Sequence, residues 1–193
     1  MNWPGPEMDD LKQDKDQTNK VLKMRATPSD TFHSPVNQDL LEYWRTLCRD
    51  RPRPAWSEVE LMDLFRIAPR LVVKDLIDGG AEFRNRYWGT KMTDVLGYDA
   101  TGALLKDQYP PNAAAALGKM YRLALTTSLP VRLVAVSSMV KRKEYLNLEA
   151  IVLPLDAAPN VIGHLICAFN YDYKLQPGEL TGDGSSKWPE YWE

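Results

Sequence analysis

Residues 71–90 read LVVKDLIDGGAEFRNRYWGT, and the fold follows from this stretch. The run 71–77 predicts a strand. Asp78, Gly79 and Gly80 make a tight turn, and 82–88 predicts the returning strand. A Gly-Gly turn between two such runs is a hairpin signal. Within the second strand Phe83, Asn85 and Tyr87 alternate with Arg84, Arg86 and Trp88. Gly89 closes it, at a point where a left-handed or tightly turned backbone is easiest for glycine. Thr90 is placed to cap the next helix with its hydroxyl.

Downstream, 90–98 predicts a short helix with Met92, Val95 and Leu96 inward and Gly97 near its end. Thr101-Gly102 is a turn. The strongest helical pattern is 113–127, where Leu117, Met120, Tyr121, Ala124 and Leu125 fall at i, i+3, i+4, i+7 and i+8. Three strands follow, at 131–139, 144–155 and 161–171, the first two joined by the basic turn Lys141-Arg142-Lys143. The last strand is apolar on both faces: Ile162, Ile166 and Ala168 on one, Val161, Leu165, Cys167 and Phe169 on the other. Such a strand must be covered twice. The preceding helices cover one side. The other cover is either the helix at 37–50 or a second subunit.

That helix, 37–50, takes Asn37 as its cap, with Asp39 and Glu42 suited to the positive end of its dipole. Leu40, Leu41, Trp44, Leu47 and Cys48 form its apolar side, and Pro52 and Pro54 stop it. A second short helix takes Ser57 as cap, with Glu60 at capping-box spacing. It carries Leu61, Leu64 and Phe65 and ends at Pro69. Residues 1–36 hold Pro4, Pro6, Pro28 and Pro35, mixed charges and few apolar side chains, the composition of disorder. Residues 174–187 are rich in Gly, Pro and Ser and read as a tail, closed by Trp188, Pro189, Tyr191 and Trp192. The division is therefore a disordered segment 1–36, a helical preface 37–69, a domain 70–173 and a flexible tail 174–193.

Composition excludes several classes of function. The chain has 193 residues, 24 Lys plus Arg against 26 Asp plus Glu, and a net charge of −2. It lacks the basic excess of a nucleic-acid binder. Two cysteines and two histidines build neither a disulfide framework nor a metal cluster. No segment approaches a membrane span or a secretory signal, so a cytoplasmic protein is expected. No GxxxxGK phosphate loop occurs. Glu144 and Glu149 lie five apart on a strand and face opposite sides, so they make a poor acid/base pair. No catalytic set is expected.

The order strand, strand, short helices, long helix, three strands is similar to that of a PAS domain. The chain resembles the stand-alone PAS proteins of alphaproteobacteria over roughly 37–172. Tyr43-Trp44 resembles the Tyr-Trp pair of their preface helix, and Arg51-Pro52-Arg53-Pro54 their basic Pro loop. Phe83-Arg84-Asn85-Arg86-Tyr87-Trp88-Gly89-Thr90 resembles their Phe-x-Tyr-Arg-x-x-Gly-Thr strand end, and Thr101-Gly102 their Thr-Gly turn. Asn85 stands where the family usually places Tyr, and Trp56 where an Arg commonly follows the Pro loop. The resemblance implies an α+β fold: a five-stranded antiparallel sheet with helices on one face and an N-terminal helical preface. It implies a regulatory or sensory module rather than an enzyme.

Cofactors are not expected. The Asn-Cys-Arg motif of covalent flavin binding does not occur, and the long helix has no haem-ligating His. The candidate pocket lining is Arg86, Trp88, Met92, Met120, Tyr121 and His164, mostly apolar and suited to a small neutral molecule or none. Arg86 reads more simply as an ion pair with an acid at the core edge, and His164 as a neutral core histidine bonded to a neighbour. Leu40, Leu41, Trp44 and Leu47 are the candidate homodimer interface, since one short helix cannot cover the whole sheet. Neither a kinase, a cyclase nor a DNA-binding output segment is visible, so the expected output is contact with a signalling protein. The competing readings are a small α+β enzyme, against which the missing catalytic set counts, and a nucleic-acid-binding regulator, against which the charge counts.

Overall fold

The computed structural model describes residues 23–109, 111–137 and 146–180. Strands β1 (Lys23–Pro28), β2 (Leu71–Ile77), β3 (Glu82–Trp88), β4 (Val131–Ser137), β5 (Leu146–Ala158) and β6 (Val161–Asn170) form one antiparallel sheet. Their order across it is β1-β4-β5-β6-β2-β3. The helices are α1 (Pro35–Cys48), α2 (Thr90–Leu96), α3 (Leu105–Gln108) and α4 (Pro111–Thr127). The α+β class and the antiparallel sheet are as expected, with one strand more.

The added strand is β1, within the stretch expected to be disordered. It pairs along β4 from Lys23↔Val136 to Pro28↔Val131. Its order comes from backbone pairing with an open sheet edge, a non-local cause that composition does not register. Residues 29–36 are ordered as well, with Phe32 buried in the layer under α1. Residues 1–22, the basic turn Lys141-Arg142-Lys143 and the aromatic end from Trp188 to Trp192 lie outside the described residues.

Alternation on the central strands builds two cores. Val72, Leu165, Cys167 and Phe169 face an inner layer under α2, α3 and α4, with Phe83, Met92, Met120 and Tyr121. Leu71, Val73, Ile166 and Ala168 face an outer layer with Leu40, Leu41, Trp44 and Leu64. The second cover of β6 is thus α1 of the same chain. Trp44 is 7% exposed, and its indole Nε1 donates to the Pro154 carbonyl at 2.9 Å. Burying a side chain of this kind contributes about 3 kcal/mol. Leu40, Leu41 and Trp44 are therefore occupied by their own sheet, and their expected place at a dimer interface is corrected to an intrachain one.

The strand pair that decides the fold carries a bulge. Val73 faces Tyr87, but Lys74 faces Asn85, so Arg86 is the extra residue. Phe83 and Asn85 are inner; without the bulge Trp88 would turn outward. With it, Trp88 joins the inner layer and Arg86 and Tyr87 lie on the outer side.

Several local expectations are corrected. Helix α1 begins at Pro35 after Ser34 rather than capping on Asn37. Asn37 is buried inside the first turn. The second preface helix is instead a 3-10 turn at Trp56–Glu58 followed by further turns. The Glu58 carboxylate, not Glu60, accepts the Ala55 N–H at 2.9 Å. Thr90 makes no capping bond, because Gly89 occupies the cap position. Gly89 has extended backbone, φ −66°, so its need for glycine is not conformational. A Cβ there would lie 2.3 Å from the Pro69 carbonyl oxygen. Close passage of the preface over the strand end is what excludes a side chain.

Candidate functional site

The inner layer concentrates polar groups that apolar patterning does not explain. Lys74 is 1% exposed. Its Nζ donates to Asn85 Oδ1 at 2.5 Å and sits 4.9 Å from the centroid of the Tyr121 ring. Asn85 Nδ2 donates to the Ala100 carbonyl at 2.9 Å, which fixes the amide so that Oδ1 faces the lysine. The backbone of Asn85 meets the Thr101-Gly102 turn: its N–H donates to the Ala103 carbonyl at 3.0 Å, and it accepts Gly102 N–H at 2.8 Å. Asp99 Oδ1 closes that turn on the N–H and hydroxyl of Thr101. The strand end and the Thr-Gly turn are therefore one unit that orients Asn85 beneath the lysine.

Burial lowers the Lys74 ammonium to about 8, against weaker upward pulls from Cys167 and Glu82. Burial raises the Cys167 thiol to about 12, which makes it a packed, protonated thiol. Tyr121 is pushed far above its ordinary range, mainly by burial. Nearby, Trp88 and Tyr98 stack with centroids 6.5 Å apart, and Tyr98 Oη donates to the Gln108 carbonyl at 3.3 Å. Trp88 Nε1 and both Nε2 and Oε1 of Gln108 are buried with no hydrogen-bond partner among the described residues.

Of the residues expected to line a pocket, the inner layer brings together Trp88, Met92, Met120 and Tyr121. Arg86 and His164 lie on the opposite face. Asp75 Oδ1 accepts from Arg86 Nε at 2.6 Å and lies 2.9 Å from His164 Nδ1. The carboxylate assigns the Nδ1 proton to the histidine, which donates. Trp56 covers both groups, 5.7 Å from the His164 ring and 5.8 Å from the Arg86 guanidinium. The ion-pair reading of Arg86 and the bonded reading of His164 describe this cluster. Strand parity is the reason: Asp75 and His164 are register partners, both on the outer side.

The residues that sequence reasoning missed are Lys74, Asn85 as a ligand of Lys74, and Gln108. Lys74 had only a weak signal, its place two residues from Val72 on the same side of the strand, masked by the neighbouring charge of Asp75. Gln108 had none, since its burial depends on how α3 meets Tyr98.

With this geometry in view, the comparison with known families is direct. A family model described as a PAS domain matches residues 32–166. The chain belongs to the PAS domain family. PAS domains serve as sensory and regulatory modules, and the inner layer of this PAS domain is its candidate sensing site. No match was found among curated proteins. An RNA-binding light-oxygen-voltage receptor is similar at 14% identity, TM-score 0.45, over 79% of this chain and 39% of that one. A fungal light-oxygen-voltage domain photoreceptor is similar at 20% identity, TM-score 0.39, over 60% of this chain and 94% of that one. The chain thus spans about two fifths of the first of these proteins. Among the described residues, no helix is long and apolar enough to cross a membrane.

Proposed function

We propose that this PAS domain is a non-catalytic cytoplasmic sensor of the stand-alone alphaproteobacterial kind. It reads a small molecule in its inner layer and reports to a signalling protein through the sheet and α1. The unpartnered polar atoms of Trp88 and Gln108 carry this reading. A buried donor without a partner costs about 1–3 kcal/mol, and a ligand in the inner layer restores the missing bonds.

The route outward runs through β2, where Val72 and Lys74 face the inner layer while Leu71 and Val73 touch the cluster that holds α1. A shift of β2 is therefore felt on both faces of the sheet. Beside α1, Met62 and Phe65 are 80% and 62% exposed, and they are the proposed contact for a partner. Pairing of two copies is proposed to use this exposed pair instead of Leu40, Leu41 and Trp44.

Native mass spectrometry of the freshly purified chain, joined to hydrogen exchange before and after stripping by unfolding and refolding, tests the reading. We expect a retained small molecule, and faster exchange in α3, α4 and α1 once it is removed. A chain with no added mass and unchanged exchange after refolding overturns it.

A further inference from the structure

The buried ions of this protein fall into two kinds. Arg53 Nε meets Asp156 Oδ1 at 2.7 Å, and Glu149 Oε1 meets Arg132 Nε at 2.6 Å. Each has a counter-ion in contact. Lys74 is as deeply buried as either, yet among the described residues no carboxylate pairs with it. An ammonium carries three donors. Asn85 Oδ1 takes one, and the Tyr121 π face receives the charge on another side. No described counter-ion touches the charge, Glu82 acting on it only weakly and from a distance, and a buried charge without a partner in contact costs several kcal/mol.

We infer that the ligand of the inner layer is a small carboxylic acid, bound with its carboxylate on Lys74 Nζ and its body among Phe83, Trp88, Met120 and Tyr121. The register supports the span. Trp88 faces Val72, two residues from Lys74 on the same side of β2, about 7 Å along the strand. One end of such a ligand meets a cation, and the other meets the unpartnered Trp88 Nε1 and Gln108 amide. One ammonium balances one negative charge; a phosphate dianion would bring a second with nothing buried to oppose it. The rings of Phe83 and Tyr121, 5.0 Å apart, favour an aromatic or otherwise apolar body.

This inference rests on the inner layer being the sensing site, and the test separates the two. Thermal unfolding of the full chain is followed with 4-hydroxyphenylacetate, indole-3-carboxylate and octanoate at about 1 mM, each beside its primary amide. At least one carboxylate is expected to raise the midpoint by about 4 °C or more, the shift of binding at roughly 0.1 mM or tighter. Its amide should bind at least tenfold more weakly, and Lys74→Met and Lys74→Gln should lose the carboxylate response. Amides that bind as well as the acids overturn the anion while keeping the inner site. Equal carboxylate binding by the Lys74 variants also overturns it. No response to any acid overturns it too.

Discussion

Glu149 of β5 and Arg132 of β4 form the joint between the sheet and both chain extensions. The Glu149 carboxylate is fully buried and accepts Arg132 Nε at 2.6 Å. It also accepts the N–H groups of His33 and Ser34 at 3.0 and 2.6 Å, and Asn37 Nδ2 at 3.1 Å. An anion thus sits at the N-terminus of α1, where the helix dipole favours it, but it comes from the sheet rather than the helix. On its other side Arg132 Nη2 donates to Glu179 at 2.6 Å and to Tyr173 Oη at 3.0 Å.

Removing the cation exposes what this arrangement costs. Arg132→Met leaves Glu149 buried without a counter-ion and should lower stability by about 3–5 kcal/mol in urea unfolding. The double variant Arg132→Met with Glu149→Gln should recover part of that. A single-variant loss below about 1 kcal/mol would show that water or another group already compensates the carboxylate.

The Glu179 contact changes the expectation for the tail. Burial alone raises the Glu179 carboxyl, but the Gln176 N–H, Arg132 and Tyr173 outweigh it and hold the group below its ordinary range. Its contribution is therefore present at neutral pH and is lost as pH falls through the lowered value. Ending the chain at residue 175 should cost about 1–2 kcal/mol at pH 7, and much less in acid. Equal losses at both pH values would place the effect elsewhere in the tail.

Trp44→Asp is expected to unfold the domain rather than split a dimer, because the indole packs on its own sheet and donates to Pro154. Truncation of such a side chain costs about 3–5 kcal/mol even without a charge. Circular dichroism decides between the two. A folded monomer from a dimeric parent would return Trp44 to an interface.

Gly89→Ala should cost about 1–3 kcal/mol, since the new methyl group must displace the Pro69 carbonyl rather than a flexible side chain. Gly97 gives the contrast. Its φ is +88° but the space around it is open, so Gly97→Asn, which tolerates that backbone, should cost less than Gly97→Ala.

The sequence made the alternating strands and the long helix legible because their signals are local: period two, period 3.6, and Gly-Gly or Pro at the breaks. It did not make β1 legible, since an edge strand is held by its neighbour's backbone. It grouped Arg86 with Trp88, and a single bulge at Arg86, which no residue type announces, puts the two on opposite faces. It misplaced His164 against that residue's own parity, which is that of Ile166 and Ala168 on the outer side. It found the aromatic part of the inner layer but not Lys74, whose burial shows only once β2 is central and covered.

Lys74 makes the last prediction, through its depressed ionisation. The ammonium titrates near 8 in the folded chain because burial disfavours the charge, against about 10.4 for an exposed lysine. Below 8 both states are protonated and the folded state bears the full penalty. Between 8 and 10.4 the folded state holds fewer protons than the unfolded one, so stability rises with pH. Cys167 and Cys48, both held above the ordinary thiol range by burial, oppose this as pH approaches about 9, where unfolded thiols ionise but the folded ones do not. The thiols are common to both chains, so comparison with Lys74→Met isolates the lysine: from pH 8 to 9 the ligand-free wild type should gain about 1 kcal/mol relative to the variant. At pH 7 Lys74→Met should be the more stable, by about 3 kcal/mol less the cost of leaving Asn85 Oδ1 without its donor. Urea unfolding at pH 7, 8 and 9 measures both. A Lys74→Met variant less stable than wild type at pH 7 would mean that the ammonium is already compensated in the ligand-free chain.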